Sequence, residues 1–371
     1  MATVVFAPDS FKGSATATEV ATALAEGWMS VRPDDRVVRA PMADGGEGTL
    51  DAFEIAVPGS SRRAVRVTGP DGVERDASWL ALPDGTAVVE LAETSGIGLM
   101  PSLAAFDAQT FGFGQAIAAA LDAGATGLLL AIGGSASTDG GAGMLSALGA
   151  RLFDPTGAEV VAGNRGLAEL VRVDLTGLRP LPPGGARILS DVTSPLLGPD
   201  GAAAVFGPQK GAAEADVPEL EAGLARLVVA LREAGVEVDP QTPGAGAAGG
   251  TGFGLLAWGA ELAPGSAAVG EALGLPAALA AADAVVTGEG RYDSQSAAGK
   301  VPEYIVLLAA AAGIPALLAA GSIAADPRGF AGAASLSELA GGSAAAIAEP
   351  LRWARAAGSA LASGFTPRSR R

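Results

Sequence analysis

Polar and charged side chains that could take part in catalysis follow five apolar segments of this 371-residue chain. The chain contains no His and no Cys, which excludes imidazole bases, thiolate nucleophiles and zinc sites built from those ligands. Catalysis must therefore use carboxylates, Lys or Arg, hydroxyls, backbone N–H groups and a hard metal ion bound by oxygen. This set of groups suits phosphoryl transfer, which depends on positioning and charge neutralisation.

The first candidate segment follows a predicted strand at residues 3–7. It places Ser10, Lys12 and Ser14 close to the strand end, next to Asp9. Open α/β sheets bind ligands at the carboxyl ends of their strands, so a cation and hydroxyls here could bind an anionic substrate. The alternative is a turn supported by Asp9 or Ser10, with Lys12 in solvent.

The second segment contains two carboxylates, Asp44 and Glu47, after a predicted strand at residues 36–40. Carboxylates this close repel each other unless a cation or a helix N-terminus offsets the repulsion. The pair therefore indicates either ligands of a metal ion or an acidic helix N-terminus.

The third segment is a glycine-rich loop at residues 132–143, after a predicted strand at 126–132. Its small residues let backbone N–H groups approach a polyphosphate, and it also supplies hydroxyls. The alternative is a flexible loop that binds nothing. The candidate phosphate-binding residues are Gly133, Gly134, Ser135, Asp139, Gly140 and Gly141, with further hydroxyls at Ser137 and Thr138.

Two later segments also follow predicted apolar strands. Asp191 stands at the end of one of them and is either a turn former or a catalytic group. Glu289, Arg291 and Asp293 follow the other, where the alternative is a cluster of surface salt bridges. Only 17% of the residues are charged, yet polar side chains follow five predicted strands. This concentration predicts that they belong to a single site.

Two glycine-containing segments partly match nucleotide-binding motifs. Residues 244–249 match G-x-G-x-x-G, but residues 239–243 replace the required strand and no acidic strand terminus follows, which disfavours a dinucleotide site and an oxidoreductase. Gly299 and Lys300 are followed by Val301, so a Walker A loop is excluded.

Apolar runs of strand length alternate with helical patterns, which predicts an α/β protein with a largely parallel sheet. The alternation of strands and helices is interrupted by three β-rich stretches that are separated by turns. They are residues 64–67, 73–81 and 87–91. This meander predicts a second domain with antiparallel strands. Two domains also agree with the chain length, at about 150 residues per domain.

The formal charge of −16 argues against binding to nucleic acid or to an anionic membrane. The N-terminus does not resemble a signal peptide, and we expect a cytoplasmic protein. Residues 305–325 carry no charge, but Gly313 and Pro315 interrupt them, which predicts a buried helix, a turn and a strand in place of a membrane span. The Arg-rich end at residues 368–371 is expected to be disordered.

Seven segments of the chain, taken in order, resemble the signature segments of the type I glycerate kinases, which are unrelated to P-loop kinases. The resemblance extends over nearly the whole chain. Thr138 and Ser194 stand where the family usually has Asn, and Ser296 stands where it has Thr. The segments are residues 7–14, 41–49, 132–145, 191–196, 205–211, 243–250 and 287–291.

The resemblance implies a two-domain α/β fold. A flavodoxin-like domain would be formed by residues 1–62 and 285–371, and a mixed α/β domain would be inserted at 63–284, with the active site in the cleft between them. It also implies ATP-dependent phosphorylation of D-glycerate with Mg²⁺, giving 2-phosphoglycerate, by a monomer or homodimer. Another hydroxy acid, a 3-phosphoglycerate product and a catalytically silent sensor remain alternatives.

Within this reaction, chemistry and strand-end position assign a role to each candidate residue. Asp191 is the predicted base for the substrate hydroxyl, and Lys12 contacts the transferred phosphate or the glycerate carboxylate. The glycine-rich loop binds the ATP phosphates. The predicted magnesium ligands are Asp44, Glu47 and Glu289, and the predicted substrate contacts are Ser10, Ser14, Arg291 and Asp293.

Overall fold

The structure is a computed structural model that describes residues 1–11, 13–293 and 300–366. Three sequence predictions fall outside these ranges. They concern the catalytic role of Lys12, the departure at Ser296 and the disorder of residues 368–371.

The described residues form thirteen strands. In chain order, they are β1 (Thr3–Phe6), β2 (Arg36–Arg39), β3 (Ser61–Thr68), β4 (Glu74–Ala81), β5 (Thr86–Glu90), β6 (Gly127–Ala131), β7 (Arg151–Phe153), β8 (Arg172–Asp174), β9 (Ala186–Leu189), β10 (Glu261–Ala263), β11 (Ala284–Tyr292), β12 (Ala316–Ile323) and β13 (Gly332–Ser335).

The same ranges contain fifteen α-helices and three 3₁₀ turns. The helices are α1 (Ala17–Val31), α2 (Thr49–Ala56), α3 (Leu91–Ser95), α4 (Phe111–Asp122), α5 (Ala142–Ala147), α6 (Asn164–Leu167), α7 (Ala202–Phe206), α8 (Val217–Glu233), α9 (Thr251–Trp258), α10 (Gly265–Ala272), α11 (Leu275–Ala280), α12 (Val301–Ala312), α13 (Leu336–Ala340), α14 (Ser343–Ala348) and α15 (Pro350–Gly364). The 3₁₀ turns are Ile97–Leu99, Pro208–Lys210 and Glu214–Asp216.

The first of two compact units consists of Met1–Asp44, Asp51–Val57 and Ser266–Arg371. Its sheet is fully parallel, with the strand order β2-β1-β11-β12-β13. Numbered within the sheet, this is the order 2-1-3-4-5 of flavodoxin-like folds. Strand β1 is apolar throughout its buried part because parallel strands are covered on both faces. The predicted parallel α/β fold is confirmed for this unit.

Residues 266–283 belong to this first unit by their contacts, whereas the sequence assigned them to the insertion. One reason is that α10 packs directly on α12: a Cβ at Gly270 would lie 2.5 Å from the Tyr304 ring. The domain assignment at residues 1–62, 63–284 and 285–371 stays a prediction.

Helices α1 and α15 of the first unit pack together through glycines. A Cβ at Gly27 would lie 2.0 Å from the Arg355 carbonyl oxygen, and a Cβ at Gly358 would lie 2.2 Å from that of Leu24. Trp28 fills the core beside this crossing, and its ring lies 5.9 Å from that of Phe6. The two helices therefore approach closely only while these positions carry no side chain.

We expect Gly358→Ala to lower the free energy of unfolding by about 1–3 kcal/mol, because a methyl group there forces the two helices apart. The matched control is Gly364→Ala at the end of the same helix, where nothing described lies within 4 Å of the added Cβ. Thermal unfolding of both variants tests this. Equal melting temperatures for the two would contradict the close crossing.

The second unit consists of Gly45–Leu50 and Pro58–Gly265. Its main sheet is mixed, in the order β10-β9-β6-β5-β4-β3. Strands β3, β4 and β5 form the predicted antiparallel meander, and β5, β6, β9 and β10 are parallel. Strands β7 and β8 form a separate two-stranded antiparallel sheet. Buried side chains of the sheet and of helices α4, α5 and α8 share one apolar core.

The uncharged stretch at residues 305–325 consists of the end of α12, a turn and β12, as predicted. The helix ends at Gly313, whose φ of 68° favours glycine. Among the helices of the described residues, none combines the length and the apolar character that a membrane crossing requires.

Candidate functional site

A cavity of about 380 Å³ lies in the first unit, beyond the carboxyl ends of the sheet strands. The order of the strands reverses between β1 and β11, and flavodoxin-like sheets bind ligands outside the strands at such a switch point. Its volume is in the range of small-molecule sites. The cavity brings together six residues that the sequence predicted for the site: Ser10, Ser14, Asp44, Glu289, Arg291 and Asp293.

Four acidic side chains line this cavity. They are Asp9, Asp44, Glu289 and Asp293, of which Asp9 and Glu289 are only 6% and 7% exposed. Several carboxylates in one cavity favour the binding of a cation there. Their field also reaches Tyr292: burial raises the pKa of this phenol, and the Glu289 carboxylate raises it further.

These oxygens are the ligands that Mg²⁺ prefers. Within the described residues, however, no three acidic side chains are grouped closely enough to hold a metal ion by themselves. A magnesium ion that uses Asp44 or Glu289 would therefore complete its coordination shell with water or phosphate oxygens, as this ion commonly does.

Cationic side chains line the same cavity. Arg291 and Lys300 contribute to the wall, and Arg291 Nε lies 3.4 Å from Asp293 Oδ2. The sequence placed Glu289 and Arg291 in a loop after a strand ending at residue 287. That prediction was wrong, because β11 continues to Tyr292 and pairs with β12 along that length.

The hydroxyl groups in the cavity differ in their environment. Ser14 Oγ donates to the Phe11 carbonyl oxygen at 2.9 Å. Ser10 Oγ is buried and has no hydrogen-bond partner within residues 1–11, 13–293 and 300–366. A buried hydroxyl without a partner is rare, so Ser10 is suited to bind a polar ligand atom.

One part of the cavity wall is apolar, and the sequence did not predict it. Phe11, Leu336, Ala346, Ile347 and Pro350 form it, the last four from α13, α14 and α15. The signal was weak, because an apolar residue on a helix is usually part of the core. This wall can cover the carbon skeleton or the base of a ligand whose anionic groups bind to Arg291.

The glycine-rich loop lies in the second unit, and some of its predicted donors already have acceptors. Gly133 N–H donates to the Gly45 carbonyl oxygen at 2.9 Å, and Gly140 N–H donates to that of Gly249 at 3.1 Å. Gly141 N–H donates to Asp139 Oδ1 at 3.1 Å. These three N–H groups hold the loop in place and are not directed at a ligand.

Asp139 is buried and organises this loop. Its Oδ2 accepts hydrogen bonds from Thr110 N–H at 2.9 Å, Thr110 Oγ1 at 2.8 Å and Gly143 N–H at 3.2 Å. With the bond from Gly141, four donors converge on one carboxylate. The sequence predicted that Asp139 binds the nucleotide, whereas these contacts give it a structural task in this loop.

Other donors of the loop have no acceptor in the described part of the chain. Ser137 and Thr138 are fully buried, and the Oγ atom of the first and the Oγ1 atom of the second make no hydrogen bond there. Unsatisfied buried donors are rare and often indicate a missing ligand or water. Four backbone N–H groups of buried residues also lack an acceptor within the described residues, those of Ser135, Ser137, Thr138 and Asp139, and the N–H group of the exposed Gly134 has none either.

Lys210 is 2% exposed and lies beneath this loop. Its Nζ donates to Ser135 Oγ at 2.8 Å and to the Ser137 carbonyl oxygen at 2.5 Å. Burial lowers the pKa of the ammonium to about 7, although the Asp139 carboxylate acts in the opposite direction. The sequence resemblance included residues 205–211 but gave Lys210 no role. The one feature that could have indicated a functional residue was a single Lys in this otherwise uncharged segment.

The two remaining predicted residues also belong to the second unit. Asp191 follows β9, is partly buried, and its Oδ1 accepts a hydrogen bond from Gly265 N–H at 2.8 Å. Glu47 is exposed. The cavity of the first unit therefore contains Asp44 and Glu289 of the predicted magnesium ligands but not Glu47.

The glycines at residues 244–250 serve close packing between loops. A Cβ at Gly246 would lie 2.0 Å from the Pro195 carbonyl oxygen. A Cβ at Gly249 would lie 2.0 Å from the Ser137 carbonyl oxygen and 2.7 Å from Lys210 Nζ. Packing thus explains the pattern that formally resembled a dinucleotide motif.

Comparisons with known proteins agree with these observations. The sequence model of the Glycerate kinase family matches residues 4–364. Glycerate 2-kinase of Escherichia coli K12 is 45% identical over 329 residues, which cover 87% of this chain and 86% of that protein. Glycerate kinase of Bacillus subtilis 168 is 42% identical over 328 residues, with 87% and 86% covered.

A crystal structure of the protein designated glycerate kinase 2 in Salmonella typhimurium LT2 superimposes with a TM-score of 0.80. It is 39% identical, and the match covers 98% of this chain and 97% of that one. The prediction of a kinase is thereby confirmed, and the chain belongs to the glycerate kinase family.

Proposed function

We propose that the protein phosphorylates the 2-hydroxyl group of D-glycerate, with ATP as the phosphoryl donor and Mg²⁺ as the metal ion. The observation that carries this proposal is the cavity of the first unit, which joins four carboxylates, Arg291, Lys300 and hydroxyls at a flavodoxin-like switch point. The name of the E. coli relative, glycerate 2-kinase, supports the choice of acceptor and of the hydroxyl group.

Arg291 is the residue proposed to hold an anionic group of the ligand. Its side chain is 69% exposed and reaches the cavity from β11. A guanidinium group can form two parallel hydrogen bonds to a carboxylate or a phosphate, which an ammonium cannot. Ser10 Oγ and Ser14 Oγ can bind the hydroxyl groups of a sugar acid in the same cavity.

Asp44 and Glu289 are the proposed magnesium ligands, and Asp9 shares their cavity. A magnesium ion bound there would neutralise charge on the phosphate oxygens. These carboxylates fit it because they are oxygen donors that line one cavity.

Asp191 is the proposed base, and the loop at residues 134–139 is the proposed binder of nucleotide phosphates. A carboxylate can orient the acceptor hydroxyl and take its proton as the new bond forms. The unsatisfied N–H groups of the loop suit the phosphates, since polyphosphates bind to converging backbone donors.

Steady-state ADP release with Mg·ATP and D-glycerate tests the function. We expect turnover that requires both substrates, and enolase added to the assay should convert the product directly to phosphoenolpyruvate. ADP release without that conversion would replace the proposed product by 3-phosphoglycerate. Absence of ADP release with D-glycerate would reject the proposed acceptor, and ligand binding without turnover would then favour a sensor.

A further inference from the structure

Lys210 is a buried cation whose positive charge has no ion-pair partner within the described residues. Its two hydrogen bonds go to a hydroxyl and a carbonyl oxygen, both neutral. Asp139 is the acidic group that acts on it, but that carboxylate is already bonded to four donors of its own surroundings. A buried charge without a counterion is costly, so its presence requires an explanation.

The loop that Lys210 contacts through Ser135 and Ser137 contains several donor groups that lack acceptors within the described residues. It carries N–H groups without acceptors in the described part of the chain, and two buried hydroxyls in the same condition. The neighbouring segment at residues 244–250 contains no ionisable side chain. The missing component of this environment is therefore an anion.

We propose that Lys210 is a positioning residue for the nucleotide phosphates: its ammonium fixes the loop at residues 134–139 and supplies the positive charge that an anion bound by this loop requires. The inference rests on the proposed function, because that function names the anion as a phosphate of ATP or ADP. Lys210 acts through Ser135 and Ser137, which it holds directly.

Binding of the anion should be coupled to binding of a proton. Burial lowers the pKa of Lys210 to about 7 without a ligand, so the protonated fraction falls as the pH rises above 7. An anion near the ammonium favours the protonated form and raises that pKa. By linkage, nucleotide affinity must then fall as the pH rises, by up to about tenfold per pH unit.

Calorimetric titration with MgADP tests this proposal, at about pH 7.5 and pH 9, where the phosphates themselves no longer titrate. For the unmodified protein we expect affinity to fall by about tenfold or more over this range. Titration in two buffers of different ionisation enthalpy should show uptake of close to one proton. Lys210→Met should bind MgADP at least about tenfold more weakly at the lower pH, with no further loss at pH 9 and no proton uptake.

The control is Arg226→Met, which removes an exposed positive charge from α8 in the same unit and should retain the proton uptake. A second variant, Ser135→Ala, serves if Lys210→Met does not fold. It removes the hydroxyl that accepts a hydrogen bond from Lys210 Nζ at 2.8 Å, so it should weaken MgADP binding by about threefold or more. Unchanged affinity in Ser135→Ala, or equal pH dependence in the unmodified protein and Lys210→Met, would overturn the proposal.

Turnover of D-glycerate by the unmodified protein is measured on the same preparation. Turnover without proton uptake on MgADP binding would reject the role of Lys210 and leave the proposed function standing. Proton-coupled MgADP binding without turnover would reject the acceptor and support the role of Lys210.

Discussion

Replacement of Asp191 by Asn is expected to lower kcat for D-glycerate phosphorylation by about 10² to 10⁴, the usual contribution of a general base. The amide keeps the size of the carboxylate, and its oxygen can still accept the hydrogen bond that Gly265 N–H donates at 2.8 Å. The fold should therefore persist, while the ability to take a proton is lost. Steady-state ADP release at saturating substrates measures the effect.

Asp239→Asn is the matched control for this experiment. Asp239 is exposed in the same unit and accepts a hydrogen bond from Gln241 N–H at 2.9 Å, so it shares the type of contact but has no proposed role in the reaction. Its kcat should equal that of the unmodified protein. If Asp191→Asn keeps kcat within about threefold, another group takes the proton.

Much of the fold follows from local sequence patterns, because continuous apolar runs and helical periodicity depend on burial alone. Strand β11 shows where such patterns stop being sufficient. Its glycines indicated a loop, but Cβ atoms at Gly288 and Gly321 would lie 2.0 Å and 2.3 Å from carbonyl oxygens of the adjacent strand. The glycines allow β11 and β12 to pair closely, and this requirement depends on a partner that local patterns do not identify.

The candidate site likewise contains residues that the sequence predicted and residues that it did not. The polar strand ends were predictable, because position after a strand and residue type are both local properties. Lys210 was not, since its contacts Ser135 and Ser137 are 75 and 73 residues away in the chain. The apolar wall of the cavity was also missed, because Leu336 and Pro350 are distant from every polar segment that defined the site.

Asp139→Ala is expected to cause the largest loss of stability, about 3–5 kcal/mol in the free energy of unfolding of the second unit. Four donors that now bond to this carboxylate would lose their acceptor: Thr110 N–H, Thr110 Oγ1–H, Gly141 N–H and Gly143 N–H. Asp139 is fully buried, so water does not replace the lost bonds. Thermal and denaturant unfolding of the variant measure the loss.

Two control variants distinguish the effect of burial on stability from the effect of the number of hydrogen bonds. Asp154 accepts hydrogen bonds from Thr156 N–H, Thr156 Oγ1–H and Ala158 N–H in a solvent-exposed turn, so Asp154→Ala should cause a much smaller loss. Asp139→Asn can retain an acceptor for three of the four donors. Its loss of stability should therefore lie between those of the two alanine variants. Equal losses for Asp139→Ala and Asp154→Ala would show that the buried carboxylate does not organise the loop, and the geometry proposed for phosphate binding would then lack its support.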